Sequence, residues 1–513
     1  MKPKAVISLL LCFLMMFVFF VGCDDSNGDT SDESTNDTSV TSEQSESGED
    51  ESSQTVSEDP YTDENGLYST KNLPEFNSEW VNYGEFRVLV CSNEEQTTYF
   101  SEEIEPLYST TDQVIIDGVV RRNDWIYDTY GIVVKAVPVV NVLNAVRLEI
   151  SSGLDTFDAA MPFMPSCAIL AREGSLFDLC DFSHIIDLDA PWWDQNATEA
   201  VSVGDKVYFT ASDMTIMQKI VSSGIAFNQD LLASYFPGYN IYQDVYDGTW
   251  TLDNLYTKCK LVTGIIIDDD IMDENDMWGI IDTGPSFFYG CGEQLVTKDN
   301  NNYPIISIGS TVRSIDVAQY VLGLASESKT WVATVADWTN RTDIYGTVVK
   351  VFGEERALFM ALHFSAVKKL RPYGINYGIV PAAKYNEQQD DYYTKCSAAY
   401  AYGICIPLTV ADPEFSAYMC ELMAIGGKNY VSNTYYNVVL KSKDFIDEDS
   451  EKMLDIIFDS IVYDPAVIYG FSGLNSIIPD LITAKSTDIV SKLDSIRDSV
   501  QQSIEELIAD YED

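Results

Sequence analysis

The chain has 513 residues, of which 81 are Asp or Glu and 31 are Lys or Arg, so its formal net charge is −50. A chain this acidic repels nucleic acid, and no basic patch with interleaved aromatic residues offsets that repulsion. Because single hydrophobic cores stop growing at roughly 250–300 residues, the length predicts two domains.

The N-terminus has the pattern of a secretory signal. Two lysines precede an almost wholly apolar run, Ala5–Val21, which ends at Gly22 and Cys23. The cysteine directly after a small residue resembles the lipobox of bacterial lipoproteins, with Phe20 where leucine is usual. This resemblance implies that residues 1–23 are a signal peptide and that Cys23 carries lipid, such as palmitate, on the outer face of the cell membrane. The apolar run also fits an uncleaved transmembrane anchor.

Residues 24–60 have the composition of a disordered tether. They contain 13 acidic residues and no Lys or Arg, and Ser and Thr fill most of the remainder. Such a segment cannot bury enough apolar surface to offset the entropy lost on ordering. On random-coil statistics it spans roughly 30–40 Å, which lets a globular body move above a membrane while staying attached.

Eight of the ten cysteines follow the signal peptide. An exported chain could pair them, but Cys91 and Cys420 lie in apolar runs, where cysteine behaves as a small hydrophobic residue. We therefore expect mostly free, buried thiols. His184 and His363 are the only histidines and no CxxC occurs, so we expect no structural zinc site, and no motif calls for a cofactor.

The first part of the body alternates strand and helix signals, which predicts a parallel, right-handed βαβ series. The first helix is capped by Thr111 or Asp112 and ends at Gly131. The predicted elements are, in order, a strand at 86–91, a helix to residue 130, a strand at 132–137, a helix at 142–150 and a strand at 157–161.

The next segment suggests a chain that crosses between two lobes. Lys206–Asp213 is a β-rich run that ends in small polar residues, and Ser223–Gln229 is a second short strand signal. Thr251 then begins a helix as its N-cap.

Three motifs in this region occur in an order known from one family. They are Gly204-Asp-Lys-Val-Tyr-Phe, Gly224-Ile-Ala-Phe-Asn-Gln-Asp-Leu-Leu and Gly248-Thr-Trp-Thr-Leu-Asp-Asn-Leu. Their order resembles the extracellular solute-binding proteins of ABC importers, the maltose-binding-protein-like group. Phe352–Leu362 resembles that family's helix and second crossover, and Tyr377–Lys384 resembles its strand returning to the first lobe.

The resemblance implies an α/β, two-lobed, periplasmic-binding-protein-like (type II) fold. The expected lobes are residues 84–213 with 365–425 and residues 214–364 with 426–513. The expected crossovers between them lie near Asp213, near His363 and near Gly426.

The C-terminal part is predicted to be helical. Asp412 and Pro413 begin a helix that Gly426 and Gly427 are expected to end. Amphipathic stripes then predict helices at 448–462 and through 489–507, with apolar faces directed to the core.

A two-lobed fold places a small solute between its lobes. Sugar recognition needs flat apolar faces and polar side chains, and the chain has 31 Tyr and 8 Trp. Asp213 is also compatible with a loop cap, and His363 with a hydrogen-bonded core histidine. The candidate ligand residues near the crossovers are Trp192, Trp193, Asp213, Trp278, Tyr289 and His363.

The resulting hypothesis is a lipid-anchored, monomeric binding protein that delivers a carbohydrate to ABC permease subunits. The alternatives are a peptide-binding or cationic-solute-binding protein, a surface module without transport, and a glycoside-acting enzyme. An enzyme is disfavoured, since the chain contains no G-x-S-x-G, P-loop or G-x-G-x-x-G motif.

Overall fold

A computed structural model describes residues 59–94, 98–108, 111–266, 271–282, 285–338, 342–439 and 448–512. The predicted signal peptide, Cys23 and nearly all of the tether lie outside these residues. Within the described ranges, no helix combines the length and the apolar character needed to cross a membrane.

The strands are short. In chain order they are β1 (Glu85–Cys91), β2 (Val133–Val139), β3 (Ala159–Ala160), β4 (Ser223–Asn228), β5 (Trp278–Asp282), β6 (Val296–Lys298), β7 (Pro304–Ile306), β8 (Val332–Thr334), β9 (Ala357–His363), β10 (Tyr377–Val380), β11 (Thr394–Lys395) and β12 (Ile461–Val462).

Helices surround these strands. They are α1 (Gln113–Tyr130), α2 (Val142–Ser152), α3 (Met164–Arg172), α4 (Gln195–Val201), α5 (Met217–Ile220), α6 (Gln229–Tyr235), α7 (Ile241–Tyr246), α8 (Leu252–Val262), α9 (Pro285–Gly290), α10 (Val312–Ser326), α11 (Ile344–Gly353), α12 (Val367–Leu370), α13 (Pro413–Gly426), α14 (Asn433–Val439), α15 (Glu448–Asp459), α16 (Pro465–Tyr469), α17 (Ile477–Thr483) and α18 (Ile489–Glu512).

The first sheet has the predicted parallel βαβ form. Its strand order is β2-β1-β3, and β1 pairs in parallel with both neighbours. The helix α1 starts after Asp112, and it ends at Gly131, whose φ of 74° is left-handed. Glycine adopts this conformation without the steric cost that a Cβ imposes, which is why the helix stops there.

The second sheet has five strands in the order β10-β4-β9-β5-β8. Its strands β8, β5 and β9 run parallel, whereas β4 is antiparallel to both β9 and β10. The carboxyl ends of β5, β8 and β9 therefore lie at one edge of this sheet.

Two expectations about crossovers are wrong. The chain does not leave the second sheet at His363, because β10 follows and pairs with β4 in that same sheet. For the same reason Tyr377–Lys384 does not begin the return to the first sheet. The return comes later, where Cys405 forms a bridge with Ala160 and Ile404 bridges Thr210. The other lobe boundaries stay predictions.

The expected stop at Gly426–Gly427 is also wrong. The helix α13 continues into a π-helix, Gly427–Ser432, and then into α14. A Cβ on Gly427 would collide with the backbone carbonyl of Asp213. Glycine here permits close backbone packing between two distant segments rather than a helix end.

Two further expectations concern the β-rich run Lys206–Asp213 and the cysteines. Lys206–Asp213 forms isolated bridges, among them Thr210 with Ile404, instead of a strand. The eight cysteines of the described residues carry free thiols, and all except Cys180 are buried.

Candidate functional site

A cavity of about 430 Å³ lies between the segment that follows β1 and the segment that follows β9. We call it the inter-sheet cavity. The carboxyl ends of parallel strands are the usual ligand-binding edge of α/β sheets, and here each sheet contributes one such edge. Its walls are formed by Asn93, Thr98, Phe100, Glu102, Glu103, Asp112, Ile115, Ile216, Met217, Ile220, Phe364, Ser365, Val367, Lys368, Lys369 and Tyr435.

Aromatic rings stack beside this cavity. Tyr99 and Tyr400 are stacked with ring centroids 4.5 Å apart, and Phe163 is stacked on Tyr402 at 5.2 Å. The residue Tyr400 is 41 % exposed. We call Tyr99, Phe163, Tyr400 and Tyr402 the aromatic wall. An exposed ring that packs against other rings is held in place and presents a flat apolar face.

The two edges are joined by contacts across the cavity. Burial raises the pKa of Tyr99, and a hydrogen bond with Ser365 opposes that rise. Lys368 Nζ lies 3.4 Å from Asp112 Oδ2 and 3.8 Å from Glu102 Oε2, and Arg371 Nη1 lies 3.5 Å from Asp112 Oδ1. These partly exposed groups offer carboxylate acceptors and ammonium donors to a polar ligand.

A buried carboxylate holds the loop that follows β1. Glu103 accepts hydrogen bonds from Thr215 Oγ1 at 2.7 Å and from the Ile216 backbone N–H at 3.2 Å. The guanidinium of Arg122, which is fully buried, donates to the carbonyls of Glu103 and Met214. Burial lowers the pKa of Arg122 to about 9. Glu103 and Arg122 thus hold the loop that follows β1 against residues 214–216.

The predicted ligand residues Trp192 and Trp193 are buried away from the inter-sheet cavity. Their indole N–H groups donate to the two carboxylate oxygens of Glu421, at 2.8 Å to Oε1 and 2.7 Å to Oε2. The edge of Trp192 also meets the rings of Tyr61 and Tyr68. Burial raises the pKa of Glu421 to about 8, although both indole hydrogen bonds act in the opposite direction.

Asp213 is buried and forms part of the contact with α5 and with the π-helix that follows α13. Its carboxylate lies 2.8 Å from Lys219 Nζ and 3.1 Å from Lys428 Nζ, and it accepts a hydrogen bond from Ser432. Burial alone would raise the pKa of Asp213, but the attraction of Lys219 and Lys428 outweighs it, and the pKa is lowered. Its acceptors are used within the protein.

Three other predicted residues also lie outside the cavity wall. Trp278 is fully buried and donates its indole N–H to the Asp273 carbonyl at 2.9 Å. Tyr289 is buried, and burial together with Asp464 raises its pKa. His363 ends β9 directly before the cavity residue Phe364; burial lowers its pKa to about 4, and its Nδ1 has no hydrogen-bond partner among the described residues. A ligand role for the predicted set stays a prediction.

The aromatic wall was missed by the sequence reasoning. Tyr99 and Phe163 each follow a predicted strand of the first sheet by a few residues, so an aromatic residue near the end of such a strand was the available signal. Tyr400 lies in the segment that returns to the first sheet, where no strand was predicted.

Two observations concern a metal site and the choice between two cavities. In the described ranges, no three His, Cys, Asp or Glu residues are grouped as a metal site requires. A larger cavity, of about 750 Å³, lies elsewhere. We place the candidate site in the smaller one because it alone of the two adjoins the carboxyl ends of strands in both sheets and the aromatic wall.

Comparison with known proteins shows the fold. No protein-family model matches the chain, and no curated protein matches it significantly by sequence. A cyclo/maltodextrin-binding protein complexed with maltotetraose superposes with a TM-score of 0.51 and 13 % identity, over 84 % of this chain and 96 % of that one. A sugar transporter protein from Rhizobium etli, in an open conformation, superposes with a TM-score of 0.51 and 13 % identity, over 82 % of this chain and 98 % of that one. The chain therefore has the α/β, two-lobed, maltose-binding-protein-like fold, and both structural neighbours are described as binding or transport proteins.

Proposed function

We propose that this chain, which has the two-lobed maltose-binding-protein-like fold, is the solute-binding component of an ABC importer and captures a carbohydrate in the inter-sheet cavity. The observation that supports this most is the aromatic wall, in which Tyr99 stacks on the exposed Tyr400 and hydrogen-bonds with Ser365 of the cavity. The cavity itself carries amide, hydroxyl, carboxylate and ammonium groups. Flat rings accept the C–H faces of a sugar, and the polar groups accept and donate hydrogen bonds to its hydroxyls.

The binding step is capture followed by closure. A sugar in the inter-sheet cavity lies between Glu102 on one edge and Ser365 and Lys368 on the other. The ligand therefore adds contacts between segments that already meet through Lys368 and Asp112. A ligand that touches both edges binds the closed form better than the open form and shifts the equilibrium towards closure. The closed form is then the one that docks on the permease.

The attachment to the membrane is part of the same proposal. Cys23 carries the lipid, and residues 24–60 form the tether that lets the body reach a permease. In cells fed an alkyne-labelled palmitate, the wild-type protein is expected to take up label and the Cys23→Ala variant is not. A protein that keeps the residues before Cys23 and takes up no label would contradict this part alone.

We also propose that the protein is not an enzyme. The sequence lacks the nucleophile and phosphate-binding motifs named above, and both structural neighbours are binding or transport proteins. Turnover of any carbohydrate that binds would contradict this proposal.

The experiment is a thermal-shift screen of the purified protein against neutral mono- and oligosaccharides, with short peptides as the comparison set. A ligand at a hundredfold excess over its Kd stabilises by about 2.7 kcal/mol. For a lobe of this size, that raises the melting midpoint by roughly 5–10 °C. A sugar shift should be nearly independent of salt, because no net charge is neutralised. A shift with peptides only would contradict carbohydrate binding.

A further inference from the structure

A cavity larger than the inter-sheet cavity lies outside the proposed sugar site. It has a volume of about 750 Å³, and a smaller cavity of about 280 Å³ shares Asn196, Asp459 and Ile461 with it. The two cavities are therefore adjacent, and we call them together the acidic groove.

The acidic groove and the inter-sheet cavity lie on different sides of one segment. Within residues 212–220, Ile216, Met217 and Ile220 face the inter-sheet cavity. Ser212, Asp213, Gln218 and Lys219 of the same segment face the groove. A ligand in the groove therefore does not compete for space with a ligand in the inter-sheet cavity.

The groove holds exposed carboxylates that form no ion pair among the described residues. Glu199, Asp390, Asp391 and Asp459 line it, all four are exposed, and none forms an ion pair within the described part of the chain. Burial and the neighbouring Asp455 raise the pKa of Asp459 against the opposing attraction of Lys428 and Lys219, which indicates that the two lysines compensate its charge incompletely.

The groove also contains three lysines. Lys219 and Lys428 lie on Asp213, and Lys298 donates to the Ser202 carbonyl. None of these lysines forms an ion pair with the four exposed carboxylates among the described residues, and the carboxylates of the lining outnumber the lysines. The groove therefore presents net negative charge to anything that enters it.

A buried acceptor at the inner end of the groove also lacks a donor. Gln218 is 3 % exposed, and its Nε2 donates to the Ser212 carbonyl at 3.1 Å. Its Oε1 has no hydrogen-bond partner among the described residues. A buried acceptor without a partner is unfavourable, and a donor from a ligand would satisfy it.

We propose that the acidic groove is a second binding site, for a linear polyamine. Adjacent cavities with carboxylates at several places match ammonium groups spaced along an alkyl chain, and the partly buried Tyr393 lines the groove, where its ring can contact an ammonium or its methylenes. A divalent metal ion fits less well, because the described residues contain no group of three close acidic, His or Cys ligands. This site does not depend on the proposed sugar function.

The test is isothermal titration of the purified protein with spermidine at physiological salt. We expect one saturable site. The double variant Asp391→Asn with Asp459→Asn is expected to raise the Kd for spermidine at least tenfold. The matched control is Asp124→Asn with Asp128→Asn, which removes the same charge from exposed positions of α1 and should change the Kd less than twofold.

Four results would overturn the proposal. They are the absence of saturable binding, equal weakening by both double variants, equal competition by Mg²⁺, and loss of spermidine binding in a Phe364→Ala variant of the inter-sheet cavity. If the Asp391/Asp459 variant fails to fold, Glu199→Gln with Asp390→Asn replaces it, since both side chains are exposed. Because the sugar screen uses another site and another probe, either proposal can fail without the other.

Discussion

Lys368 Nζ and Asp112 Oδ2 lie 3.4 Å apart, so the helix that follows β9 is ion-paired with the N-cap residue of α1. This contact joins the two edges of the inter-sheet cavity without a ligand. The side chains are 47 % and 27 % exposed, so water and salt weaken the pair.

The first prediction concerns this pair. Lys368→Met should shift the ligand-free protein towards an open form, because a partly exposed pair contributes about 0.2–1 kcal/mol to the closed form. The open population should rise up to roughly fivefold, read as a larger radius of gyration in small-angle X-ray scattering. Lys452→Met, which removes an exposed pair within α15, is the control and should leave the radius unchanged. A radius that is identical in the Lys368 variant would argue against a role in closure.

The second prediction concerns Asp213. Asp213→Asn should lower the free energy of unfolding by about 2–3 kcal/mol, since it leaves two largely buried lysines without their carboxylate. Urea denaturation measures this change. The control is Asp155→Asn, which removes one exposed partner of Arg87 while Arg87 keeps its other partner, Asp158. This variant should change the free energy of unfolding by less than about 0.5 kcal/mol.

The pH dependence of the Asp213 contribution follows from its lowered pKa. The contribution is present above the unfolded-state pKa of about 4 and is lost as the pH falls through the lower folded-state pKa. Wild-type and Asp213→Asn stabilities should therefore converge in acid. A difference between the two proteins that stays constant down to the acid transition would contradict the assignment.

The third prediction concerns Glu421, whose pKa is raised to about 8. The folded state then binds a proton that the unfolded state releases above about pH 4, so this group makes stability fall as the pH rises from about 4 to about 8. In Glu421→Gln this part of the slope should disappear, while a carbonyl oxygen remains to accept one indole N–H. Parallel pH–stability curves for the two proteins would show that the carboxyl is ionised throughout.

The fourth prediction separates the aromatic wall from the buried tryptophans. Tyr400→Ala should weaken a sugar ligand about tenfold, which corresponds to about 1.4 kcal/mol, because its exposed ring is the proposed stacking face. Tyr127→Ala, on an exposed tyrosine of α1, is the matched control and should leave the Kd unchanged.

Titration with the same sugar ligand also tests the predicted ligand residues Trp192, Trp193 and Trp278. Their phenylalanine variants should lower the melting midpoint, because the lost indole N–H groups donate to Glu421 or to Asp273. Their Kd values should stay within about twofold of wild type. A tenfold loss of affinity in the Trp192 or Trp193 variant, with Tyr400→Ala unaffected, would return the site to the residues predicted first.

Elements set by neighbouring residues could be read from the sequence. The N-cap Asp112 and the terminator Gly131 define α1, and the apolar runs around Phe86 and Val134 define β1 and β2. Asp412 and Pro413 likewise begin α13 where predicted. Capping, helix ends and hydrophobic periodicity depend on residues a few positions apart, so one sequence carries that information.

Long-range partners were decided only by the tertiary structure. Trp192 and Trp193 look like exposed stacking platforms in a polar segment, but Glu421, more than two hundred residues away, binds both indoles. Tyr377–Val380 reads as a returning strand until its pairing with β4 is known. A side chain becomes a ligand contact or a core contact according to what the fold brings against it, and that choice depends on which segments pack together rather than on the residue itself.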